Sequence, residues 1–123
     1  MICARTDAKG VYGLEECIKR SIAYIDAGAD MIFPEGLHTA EEFQIVAKEL
    51  RKHQSDVFLL ANMTEFGQTP YIHVDTFKDY GYNCVIYPVS TLRVAMKAID
   101  DFFVDLQKNG TQEGFLDRMQ TRK

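Results

Sequence analysis

Apolar residues follow two rhythms along this chain. Four short runs, residues 2–4, 31–33, 57–61 and 84–87, are apolar almost throughout, and their starts lie 29, 26 and 27 residues apart. Runs of that kind predict parallel strands buried on both faces. Between them the spacing turns helical. Leu14, Ile18, Ile22 and Ile25 recur on one face of a helix over 14–27, with Glu15, Glu16, Lys19 and Arg20 opposite and Gly28 placed to end it. Thr39 and Glu42 form a Thr-x-x-Glu capping box before a second helix, whose stripe is Phe43, Val46, Ala47 and Leu50. A shorter third helix is predicted over 75–80, ending at Gly81. The fourth has the longest stripe, Leu92, Ala95, Met96, Ile99, Phe102, Phe103 and Leu106, between an N-cap at Ser90 and a stop at Asn109-Gly110. A last short helix is predicted over 115–119.

Strand and helix therefore alternate four times, the signature of a parallel sheet with crossover helices. A faint repeat supports this. Asp26-Ala27-Gly28 precedes a strand that ends in Pro34, and Asp79-Tyr80-Gly81 precedes one that ends in Pro88. Repeating βα units of this length build a (β/α)8 barrel, which needs about 250 residues when complete. The 123 residues hold about four units. The expectation is an α/β fold, one partial TIM-barrel domain over 1–123 with no internal linker. A chain that opens straight into a strand, with no signal-like stretch, further suggests entry part-way through the fold.

Composition narrows the function classes. Apolar residues make up 46% and charged residues 26%, and the net charge is −4. That balance suits a globular domain and argues against a nucleic-acid binder, which needs a basic face. No apolar run approaches the ~18 residues of a membrane span. Cys3, Cys17 and Cys84 are odd in number and without metal-like spacing, which argues against a disulfide framework or zinc knuckle and favours a reducing compartment. Cys3 and Cys84 lie within strands and read as small core hydrophobes. His38, His53 and His73 share no spacing and read as surface or loop residues.

In parallel α/β folds chemistry collects at the carboxyl ends of the strands. Read in order, those ends carry Arg5-Thr6-Asp7, Glu35, Asn62 to Glu65, and Ser90 with Arg93 one helical turn on. Arg5 and Arg93 offer planar forks for carboxylates; Asn62 and Thr64 offer hydrogen-bond donors. Together they describe a pocket for a small polycarboxylate. Each also has a structural reading. Arg5 can pair with Asp7 or Glu35, Glu35 can serve the dipole of the following turn, and Asn62 and Thr64 can cap their loop. The coincidence at all four strand ends favours binding. No Asp-x-Asp pair, Gly-rich phosphate loop or nucleophile–base pair accompanies these residues, so the pocket has walls and no evident chemical engine.

Six stretches, in order along essentially the whole chain, resemble the methylisocitrate lyase family of the isocitrate lyase and phosphoenolpyruvate mutase superfamily. They are Ala4-Arg5-Thr6-Asp7-Ala8; Ala27-Gly28-Ala29-Asp30 leading to Phe33-Pro34-Glu35; Leu60 to Gly67, with Asn62-Met63-Thr64-Glu65; Tyr87-Pro88-Val89-Ser90 with Leu92-Arg93; Gly110-Thr111-Gln112; and Met119-Gln120-Thr121-Arg122. The resemblance implies the carboxyl-terminal half of a (β/α)8 barrel that cleaves 2-methylisocitrate to pyruvate and succinate in propionate breakdown, by a retro-aldol step. It implies Mg2+ and a general-acid cysteine whose residues precede the Ala4-Arg5 strand, so that none of Cys3, Cys17 or Cys84 inherits a catalytic role and the chain holds no metal ligand. It carries over Arg5, Glu35, Asn62, Thr64, Arg93 and Arg122 as substrate-binding residues. It implies a homo-oligomer, a dimer of dimers with the last helix exchanged between subunits, or pairing with an amino-terminal half barrel. A cytoplasmic setting is implied for bacterial-type members and the mitochondrial matrix for many eukaryotic ones. The alternatives are a related superfamily enzyme, acting on isocitrate, a phosphonate or oxaloacetate, and an inactive truncated product that acts only by association.

Overall fold

Helices and strands alternate through the computed structural model, which describes residues 1–122. The chain divides into two units, Met1–Pro88 and the residues from Val89 onward.

The first unit is a four-stranded parallel sheet in the order β1-β2-β3-β4, formed by β1 (Cys3–Thr6), β2 (Met31–Pro34), β3 (Phe58–Asn62) and β4 (Cys84–Ile86). Sequential parallel order is what successive βα crossovers give. All four predicted strands are present, within two residues at each end. Helices α2 (Leu14–Asp26), α3 (Ala40–His53) and α4 (Val74–Asp79) fall where the periodicity placed them. The five-residue α1 (Ala8–Tyr12) has too few turns to show a period and was not foreseen. Gly28 follows α2 with φ +98° and Gly81 follows α4 with φ +90°, both in the left-handed region.

The box before α3 forms with a shift. Thr39 Oγ1 accepts from Glu42 N at 3.2 Å, as expected, but the Glu42 carboxylate accepts from His38 N at 2.6 Å. Its other oxygen pairs with Lys9 Nζ on α1 at 3.1 Å, so one glutamate ties the entry of α3 to α1.

Burial in the sheet is one-sided, which corrects the expectation of strands buried on both faces. Register places Thr6 beside Pro34 and Ile32 beside Leu59, and these, with Ala61, are buried on the side the helices cover. The other side carries Cys3, Arg5, Met31, Phe33, Phe58, Leu60, Asn62, Cys84 and Ile86, all half-buried or exposed. Cys3 and Cys84 sit on this open side, contrary to the core reading; the cysteine in the core is Cys17, on α2. An apolar run records that both faces of a strand tolerate burial, and here helices supply a cover for one.

Under the helices Val46, Leu50, Ile32 and Leu59 are fully buried, each contributing about 1.5–3 kcal/mol. Phe43, Phe77 and Tyr82 meet edge to face with centroids 5.1–5.7 Å apart. Burial raises the Tyr82 phenol well above its ordinary pKa, and its hydroxyl donates to Phe43 O at 3.2 Å. Arg51 clasps the far end of the sheet. Its guanidinium donates to Gly81 O, to Ser55 O at 2.7 Å and to Asn83 Oδ1 at 2.9 Å, and Asn83 Oδ1 also accepts from Leu59 N.

The second unit is α5 (Ser90–Asn109) followed by a 3-10 helix (Glu113–Arg118). Gly110 ends α5 with φ +68°, as its position predicts. The N-cap position is taken by Val89 rather than Ser90. The predicted stripe exists, but no residue of α5 is buried. Leu92, Met96, Ile99 and Phe103 are each at least half exposed, and Phe102 packs edge to face on Phe115, the buried residue of the 3-10 helix.

Candidate functional site

β1, β2 and β3 run parallel and in step, so polar residues just past their centres gather at one end of the open side. Arg5 and Phe33 are register partners, and the guanidinium lies over the Phe33 ring, 5.0 Å from its centroid. Asp7, beyond the end of β1, holds the same guanidinium from its edge: Arg5 Nε donates to Asp7 Oδ2 at 3.0 Å and Nη2 to Oδ1 at 2.7 Å. Glu35, the first residue past β2, places Oε2 4.0 Å from Arg5 Nη2. Asn62, the last residue of β3, donates from Nδ2 to Glu35 Oε2 at 3.3 Å. Three strand ends thus meet in one polar chain, Asp7–Arg5–Glu35–Asn62.

Charge and satisfaction within the chain are uneven. The Arg5 guanidinium holds the Asp7 carboxyl below the usual carboxylate range, and Asp7 in turn raises Arg5. Arg5 Nη1 has no partner among the described residues, although Nε and Nη2 are engaged. Asn62 Oδ1 is buried without a hydrogen-bond partner. A buried orphan acceptor costs about 1–3 kcal/mol until a donor reaches it. The cluster therefore offers a cationic donor edge beside a buried, unsatisfied amide oxygen.

Of the six residues singled out from the sequence, Arg5 and Asn62 are linked through Glu35. Thr64 lies two residues past Asn62, half-buried, and its hydroxyl bonds to none of the three. Arg93, one turn into α5, and Arg122, exposed beyond the 3-10 helix, belong to the second unit. Both structural readings of Arg5, pairing with Asp7 and with Glu35, are realised at once. The stacking of Arg5 on Phe33 was missed. The signal for it was present: in parallel in-step strands, Arg5 and Phe33 each stand two residues before a polar strand end. The loop after β3 holds one further feature, Phe66 at φ +62°, the one non-glycine residue with positive φ among the described residues. Its N–H lies 3.4 Å from the Tyr71 hydroxyl.

No group of three His, Cys, Asp or Glu side chains that could hold a metal ion occurs among the described residues. Asp7 and Glu35, the two carboxylates of the cluster, are turned to Arg5. The residues present do not make a magnesium cage.

The sequence profile of the phosphoenolpyruvate phosphomutase family matches residues 1–106. The chain belongs to that family. Among curated relatives of this phosphomutase-family chain, it is 52% identical over 122 residues to a probable 2-methylisocitrate lyase 1 of Corynebacterium glutamicum, covering 99% of this chain and 39% of that protein. It is 50% identical over 123 residues to the 2-methylisocitrate lyase of Bacillus subtilis, again 39% of the relative's length. The chain thus spans about two fifths of the relatives it matches. Among solved structures, 2,3-dimethylmalate lyase superposes with a TM-score of 0.83 at 34% identity over 98% of this chain and 39% of that one. The four βα units are accordingly part of a barrel of the phosphoenolpyruvate mutase and isocitrate lyase superfamily, and the open side of the sheet corresponds to the barrel interior. No helix of the described residues is long and apolar enough to cross a membrane.

Proposed function

We propose that this chain supplies the carboxylate-binding wall of a carbon–carbon lyase that cleaves 2-methylisocitrate to pyruvate and succinate. The observation that carries this reading is the convergence of Arg5, Glu35 and Asn62 on the open side of the sheet at the strands' carboxyl ends. Relatives near 50% identity named as 2-methylisocitrate lyases support it.

In this reading Arg5 receives a substrate carboxylate on its open Nη1 edge. Glu35 holds the Asn62 amide in place beside that edge. The Thr64 hydroxyl donates to a second carboxylate oxygen. By motif, Arg93 and Arg122 are two further carboxylate ligands. Asp7, Arg5 and Glu35 together sum to −1, so a polycarboxylate needs more positive charge than this trio offers. The reaction is a retro-aldol cleavage: the hydroxyl proton leaves, the bond between the two halves breaks, and the succinate half takes up a proton. Magnesium would stabilise charge on the pyruvate half. We assign it, and the general-acid cysteine, to residues outside this chain.

The remaining parts of the reading follow from the same family. Residues 1–123 act as one partial barrel domain, in the cytoplasm, within a homo-oligomer or beside an amino-terminal half barrel. Exchange of α5 between subunits belongs to the same proposal.

The test uses the Bacillus subtilis relative, with this chain grafted in place of its matching 123 residues. The chimera should release pyruvate from 2-methylisocitrate with magnesium present, and Arg5→Ala should raise its KM about tenfold or more. A folded, inactive chimera, or one that prefers oxaloacetate or a phosphonate, sinks the reading.

A further inference from the structure

We propose that Asp7 is a positioning residue for Arg5, fixing the guanidinium so that one edge stays available to a ligand carboxylate. The proposal rests on the carboxylate-binding reading of Arg5 and adds to it a residue to which no ligand contact was assigned.

The starting point is a task Asp7 does not perform. It occupies the N-cap position of α1, where aspartate ordinarily accepts from a backbone N–H of the first turn. It makes no such bond. The neighbouring Thr6 Oγ1 accepts from Ala8 N instead, at 3.2 Å, from a buried position. Relieved of the cap, the Asp7 carboxylate turns to Arg5 and engages Nε at 3.0 Å and Nη2 at 2.7 Å. A two-point fork fixes the rotation of a guanidinium within its plane. The Phe33 ring, 5.0 Å away, fixes the plane itself. Glu35 limits travel on the Nη2 side at 4.0 Å. What remains is Nη1.

Stability alone is a poor account of this arrangement. Arg5 and Asp7 are both more than half exposed, and an exposed ion pair adds little to folding. An unrestrained arginine side chain samples many rotamers, and ordering it is a cost that binding would otherwise carry. With the fork in place, that ordering precedes the ligand.

The experiment has two arms. In the chimera, Asp7→Ala should raise KM for 2-methylisocitrate about tenfold while kcat stays within about twofold, and Asp7→Asn, which keeps one acceptor, should fall between. In the full chain, the Arg5 Nε–H resonance should be resolved in the wild type and collapse toward freely rotating arginines in Asp7→Ala. If Arg5→Ala raises KM and Asp7→Ala does not, Asp7 has no positioning role and the carboxylate reading survives. If Arg5→Ala leaves KM unchanged, the carboxylate reading falls and this inference with it. If the chimera does not fold, an Arg5 Nε–H signal indifferent to Asp7→Ala and Asp7→Asn overturns the proposal, and a collapsed one supports it.

Discussion

α3 and α5 are both amphipathic, and only one of them buries its stripe. α3, with 14 residues, buries Phe43, Val46, Ala47 and Leu50 against the sheet. α5, with 20 residues and a longer stripe, buries none. The difference teaches that periodicity locates the face a helix would bury and is silent on what the face meets. The same holds between the two sides of the sheet, one under helices and one open.

The largest expected break in that comparison is in the core. Leu59→Ala should cost about 2–5 kcal/mol by urea denaturation, whereas Phe103→Ala on α5 should stay within about 0.5 kcal/mol. Equal losses would mean that the α5 stripe is covered in solution. Next, Tyr82→Phe removes the hydroxyl's bond to the Phe43 carbonyl, which keeps its helical partner within α3, and should cost about 0.5–1.5 kcal/mol, read from the same curves. Thr39→Ala removes the cap of α3 and should cost about 1 kcal/mol, lowering the melting temperature.

The smallest effect belongs to α5 and depends on pH. Lys97 donates to Asp101 at 2.6 Å and holds that carboxyl below the usual carboxylate range. A carboxyl with a lowered folded pKa contributes stability that is present above its unfolded value, about 4, and is lost as pH falls through the lowered one. The helical circular dichroism of wild type and Asp101→Asn should therefore differ near neutral pH and converge in acid. Curves that stay parallel would show the pair to be idle.

Much of this was legible in the residues. Strand positions followed from runs of apolar residues, and α2, α3 and α5 followed from spacing and from Gly28 and Gly110. That Arg5, Glu35 and Asn62 gather in one place follows because parallel strands in step deliver their ends to one side. What escaped depends on partners distant in sequence. That Arg5 lies on Phe33 and that Cys17 rather than Cys3 is buried are set by register and by which face is covered. No local pattern encodes those.

The three cysteines turn the one-sided sheet into a built-in gauge. Cys17 is sealed in the core, Cys84 is half-buried on the open side and Cys3 is exposed there. Burial raises the Cys17 thiol, and partial burial with Cys84 nearby raises Cys3. By exposure, an alkylating reagent applied to the native chain marks Cys3 ahead of Cys84, although the raised thiol narrows that lead, and it reaches Cys17 on unfolding. Whatever closes over the open side will slow the first two labels and leave the third unchanged. A mass spectrum of the labelled chain thus reports, without any added probe, whether the barrel wall stands alone or is covered.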